Sequence, residues 1–110
     1  MIANSSGIIA HFGYWPLFCD AKVESFSFSH PGTLKLSVRY IDVDQNKKAT
    51  IDLLFYGITK MELNELRTEN VVDEIIIREG TEIEVSIEAA YGLSGSFSCT
   101  KGEVAHVTYA

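Results

Sequence analysis

Cysteine is scarce in this chain, and its placement excludes two kinds of chemistry. Cys19 and Cys99 are the only two. They lie too far apart for a metal-binding or dithiol redox motif. Each is flanked by apolar or small residues, the usual setting of a buried free thiol, with a disulfide or ligand role as the minor alternative. Long apolar runs are missing as well: no stretch approaches the roughly 18–20 residues that span a bilayer. No basic residue precedes the short patch Ile8-Ile9-Ala10, so no secretory leader is recognisable and cytoplasmic residence is the expectation. Glycine-rich phosphate loops, internal repeats and low-complexity segments are also absent.

Positive charge is the other shortage, with 9 Lys+Arg against 15 Asp+Glu. The deficit is local. Residues 61–90 hold Glu62, Glu65, Glu69, Asp73, Glu74, Glu79, Glu82, Glu84 and Glu88, with only Arg67 and Arg78 in opposition. Such a segment repels phosphate backbones and suits a basic protein surface, so nucleic-acid binding is disfavoured. The bland alternative is a solvated acidic face with no partner.

What remains is ample for folding. The chain of 110 residues, 46% hydrophobic and 11% aromatic, can bury a core as one domain over residues 1–110. Ser5 to Phe12 reads as a short helix, with Asn4 or Ser5 as its cap and Gly13 as its stop. Strict alternation follows. Leu34, Leu36, Val38 and Tyr40 share one parity, as do Ile51, Leu53 and Phe55, and then Ile83, Val85, Ile87 and Ala89. A pleated strand sends such sets to one face and their neighbours to the other. Val23 and Phe26 differ in parity, which predicts a bulge at Glu24-Ser25. Turns fall at His30-Pro31-Gly32, Asp44-Gln45-Asn46-Lys47 and Glu79-Gly80. Asn70 to Ile77 suits either a strand or a helical turn. The expected fold is mainly β (α+β): an antiparallel sheet folded over into a sandwich or partial barrel, with one short N-terminal helix.

Motifs with chemistry in them fail one by one. Asp42-Val43-Asp44-Gln45-Asn46 begins like a calcium loop, but Lys47 replaces its glycine and Leu53 its bidentate glutamate. A hairpin tip explains it better. Gly92-Leu93-Ser94-Gly95-Ser96 lacks the final glycine of a serine nucleophile elbow. It reads as a turn or sheet edge whose small residues allow close backbone approach. His11, His30 and His106 show no ligand spacing, and His106 is expected at a solvent-facing or edge position. A triad of His106, Ser94 and Asp20 has little to commend it. No catalytic residue, metal ligand or cofactor is assigned.

The densest feature is Phe12-Gly13-Tyr14-Trp15-Pro16-Leu17-Phe18-Cys19-Asp20-Ala21-Lys22-Val23. Read as packing, it is a core plug in which Trp15 and Phe18 bury against the sheet and the Asp20 carboxylate accepts backbone N–H bonds. Read as a site, Tyr14, Trp15, Asp20 and Tyr91 would line a small-ligand or enzyme pocket. The plug is the favoured reading.

From Gly13 to Val23 the chain resembles the G-Y-W-P-x-F-H-D-A-E-V opening of the immunity protein 50 family. Ala90-Tyr91-Gly92-Leu93-Ser94-Gly95-Ser96-Phe97 is similar to that family's closing YGLSGSF segment. Cys19 stands where the pattern has His, and Lys22 where it has Glu. The resemblance implies a bacterial polymorphic-toxin immunity protein that binds a cognate toxin domain and catalyses nothing. It marks Gly13, Trp15, Pro16, Phe18, Asp20, Tyr91, Gly92 and Gly95 as structural motif positions. With the acidic segment, it points to a basic toxin domain meeting Glu82, Glu84 and Glu88, with Glu62, Glu65 and Glu69 nearby. A third reading is an interaction module that forms a homodimer through an exposed strand edge.

Overall fold

The structure, a computed structural model, describes residues 2–109. After helix α1 (Ser6–Phe12) come β1 (Lys22–Ser29), β2 (Thr33–Asp42), β3 (Lys47–Tyr56), β4 (Lys60–Asn64), β5 (Val71–Glu79), β6 (Ile83–Tyr91), β7 (Ser94–Cys99) and β8 (Lys101–Thr108). Every pairing between these strands is antiparallel, in the order β4-β7-β6-β5-β1-β2-β3-β8. The mainly β expectation therefore holds, and the ambiguous Asn70–Ile77 stretch is strand from Val71 onward.

The eight strands form two four-stranded layers joined at a corner. β1 meets β5 at one residue pair, Lys22 with Val71, where Val23 N–H donates to the Asn70 carbonyl at 2.9 Å. Beyond that corner the layers fold together. Phe55 on β3 and Phe97 on β7 stand five places apart in the strand order. In a flat sheet that is roughly 24 Å at about 4.8 Å per strand, yet their ring centroids lie 5.1 Å apart, edge to face.

The core is the inward parity of each strand. Leu34, Leu36, Val38, Ile51, Leu53 and Phe55 from one layer meet Val72, Ile75, Val85, Ile87, Phe97 and Cys99 from the other. The bulge falls where parity predicts, with the register slipping between Val23 and Ser25. It restores Phe26 and Phe28 to the face shared with Leu36 and Leu34.

The N-terminal segment closes one end of this sandwich. Ile8, Phe12 and Phe18 are fully buried, and Phe12 and Phe18 each pack edge-on against Tyr40 at 5.2 and 5.8 Å. Trp15 is partly buried against the core and meets Phe18 edge-on at 5.7 Å. The plug also supplies backbone: Ile75 N–H donates to the Leu17 carbonyl and Val72 N–H to the Ala21 carbonyl, covering the side of β5 that β1 leaves. Gly13 ends α1 through its N–H to the Ile9 carbonyl at 2.7 Å.

Three details depart from the sequence reading. Ser5 sits at the N-cap with helical backbone and makes no side-chain cap bond. Cys19 is exposed, not buried; Cys99 alone fits that expectation. Asp20 accepts no backbone N–H through its carboxylate among the described hydrogen bonds. Its left-handed backbone (φ 62°), repeated at Phe18, makes the turn that buries Phe18 and turns Cys19 outward.

Candidate functional site

Register places the acidic residues. On the outer face of the β4-β7-β6-β5 layer, Lys60 lies opposite Ser98, Ser98 opposite Glu84, and Glu84 opposite Arg78. The next row runs Glu62, Ser96, Ser86 and Ile76. Further along, Glu88 faces Glu74 directly. β7 contributes only serines to this face, because Phe97 and Cys99 point inward. Short side chains between glutamate-bearing strands leave an open hollow of about 450 Å³, floored by Ser86, Ser96 and Ser98 and walled by Glu62, Glu84 and Lys60.

The other layer carries the opposite balance. Its outward positions include Lys22, Lys35, Arg39, Lys48 and Lys101 beside Asp52 and Glu103. Lys35 and Asp52 form a partly exposed ion pair at 3.7 Å. The Tyr56 hydroxyl donates to Glu103 at 2.6 Å, which raises the phenol's pKa. The sandwich thus presents an acidic face and a basic one.

The six acidic candidates are not equivalent. Glu62, Glu84 and Glu88 share the hollowed face. Glu82 precedes β6 and accepts a hydrogen bond from Thr59 at 3.1 Å. Glu65 and Glu69 sit in the β4–β5 loop, and Glu65 is neutralised by Arg67 at 2.6 Å. Arg67 also lies 5.3 Å from the centroid of the Tyr91 ring. That loop is anchored by buried Asn70, which accepts from Leu93 N–H at 2.8 Å. Gly92 turns there with φ 88°, and a Cβ on it would collide with the Asn70 amide.

The carboxylates of Asp73, Glu74 and Glu88 approach within 4.8 Å of one another, the one set among the described residues that could hold a metal ion. Two of them, Asp73 and Glu74, also act on Cys19. Its thiol pKa is raised, first by Asp20, then by desolvation, then by Asp73 and Glu74. A thiol held protonated beside carboxylates is a poor nucleophile.

The described hollow at Asp20 does not gather the residues of the alternative pocket. The hollow beside Asp20, about 250 Å³, is lined by Lys22, Arg39, Ile41 and Val43, not by Tyr14, Trp15 or Tyr91. The Tyr14 hydroxyl donates to Asp42 at 2.7 Å and lies 2.7 Å from the Tyr40 hydroxyl. Its pKa is raised by burial and by those two bonds. Among the described hydrogen bonds, none joins His106, Ser94 and Asp20; His106 is exposed on β8, the outermost strand. The calcium-like sequence is a hairpin tip that clamps the plug: Gln45 donates to Asp42 and to the Phe12 carbonyl, and Lys47 donates to the His11 carbonyl.

Sequence reading missed the serine floor, although Ser94, Ser96 and Ser98 share a parity. Nothing local announced that β7 would separate β4 from β6. Among the described residues no helix is long and apolar enough to cross a membrane. No curated protein and no solved structure matches the chain. Residues 4–110 match the family model of immunity protein 50, and at that coverage the chain belongs to the immunity protein 50 family.

Proposed function

We propose that this chain is a bacterial cytoplasmic immunity protein that neutralises its cognate toxin domain by stoichiometric binding and performs no catalysis. Family membership supports a toxin partner. The observation that carries the docking mode is the gathering of Glu62, Glu84 and Glu88 on one serine-floored face. Glu74 directly opposite Glu88 supports it further, because like charges paired across strands cost stability. A partner's cations placed against that pair would relieve the cost. A basic toxin domain fits, and a charged face opposite a basic one orients its approach and speeds association.

The test is co-expression with the toxin domain encoded by the adjacent gene. The chain restores growth. The triple variant Glu62→Lys, Glu84→Lys, Glu88→Lys loses that rescue while still folding, and the wild-type complex weakens as salt rises. Rescue by the triple variant would leave immunity standing and move the contact to another surface. No rescue by the wild type would sink the reading.

A further inference from the structure

The two layers do not cover one another completely, and the uncovered part lies beside the acidic face. Phe28 on β1 and Met61 on β4 both point to the inner side, since Phe28 pairs with buried Leu34 and Met61 with buried Phe97. Yet Phe28 is 46% exposed and Met61 42%. With Phe26, Leu63, Leu93 and Leu66, itself 59% exposed, they line an open groove of about 460 Å³. Met61 and Glu62 belong to this groove and to the acidic hollow alike, so the two are continuous around β4.

β4 is the outermost strand of its layer and pairs only with β7. The opposite outer strand is partly covered: Ala3 bridges to β8, donating to the Gly102 carbonyl and accepting from Val104 N–H. The plug covers β5. No described residue does the same for β4. An unpaired strand edge is a template for another strand.

We infer that an extended segment of the toxin domain adds to β4 as a fifth strand of the acidic layer. Because β4 alternates Met61 and Leu63 on its inner side with Lys60, Glu62 and Asn64 on its outer side, where Glu62 and Asn64 rim the groove, the incoming segment alternates apolar and basic residues. The apolar ones enter the groove at Phe28 and Met61, and the basic ones face Glu62. A second copy of this chain fits worse: antiparallel pairing of β4 with itself about its midpoint sets Glu62 against Glu62. This inference rests on the toxin-binding reading and adds where the partner's backbone lies.

The experiment uses the full chain with the co-expressed toxin domain encoded by the adjacent gene, read by amide hydrogen exchange and by affinity. In the wild-type complex, exchange slows at residues 60–64. The double variant Phe28→Asp, Met61→Asp binds about 100-fold more weakly, the scale of losing two anchor side chains. Both side chains are already half exposed, so its unfolding midpoint stays close to wild type. A wild-type complex with unprotected β4 amides and an unaffected double variant would overturn the strand while leaving immunity intact. Protection of β4 in the isolated chain, with a dimer mass, would assign the edge to a second copy and overturn it too. Failure of the wild type to bind would remove both readings.

Discussion

Single side chains here do local work that their sequence context concealed. Asp42 was a candidate calcium ligand by spacing; in the fold it accepts from Tyr14 and Gln45, and those bonds hold its carboxyl below the usual aspartate range. Stability from a depressed carboxyl is complete above the unfolded value of about 3.9 and disappears as pH falls through the folded one. Tyr14→Phe should therefore lower stability at neutral pH and change little in strong acid, as read by circular dichroism. Equal loss in both would assign the effect to packing. Cys19 offers a second check. Its raised pKa comes first from Asp20, so iodoacetamide should alkylate it slowly at mildly alkaline pH, and Asp20→Asn should speed the reaction. An unchanged rate would remove Asp20 as the cause. The exposure of Cys19 was not legible, because left-handed backbone at Phe18 and Asp20 is written by no local pattern.

At the level of the element, β4 depends on a backbone contact. Gly95 adopts φ 134°, and a Cβ there would meet the Glu62 carbonyl and Leu63 Cα on β4. Gly95→Ala is expected to cost on the order of 3 kcal/mol, combining left-handed strain with that collision. Urea unfolding measures it, and hydrogen exchange should show β4 loosening first. A cost below about 0.5 kcal/mol, typical of a surface change, would mean that β4 shifts freely. The close approach at Gly95 was readable from its run of small residues; the strand that approaches was not. Likewise the bulge near Glu24 followed from parity alone, since a core face must be kept on both sides of an inserted residue.

Across the whole molecule, the fold at the β1–β5 corner creates both the core and the electrical asymmetry. Phe55→Ala removes the fully buried ring that reaches Phe97 on the facing layer, and should cost about 4 kcal/mol. Calorimetry would test that; a loss within the range of an exposed substitution would deny that the layers pack there. The same folding turns acidic positions of one layer and basic positions of the other to opposite sides. That separation is what gives the proposed toxin contact a direction.

Alternation by itself determined which side chains face inward on β2, β3 and β6, because a pleated strand has period two whatever surrounds it. Composition determined that the middle of the chain would be acidic. Only the tertiary structure decided that β7 lies between β4 and β6, bringing Glu62 and Glu84 to either side of a row of serines. It alone left Phe28 and Met61 pointing inward without cover. The physical reason is one of range. Parity is a property of adjacent residues, whereas strand order and layer overlap are set by which distant apolar faces bury each other.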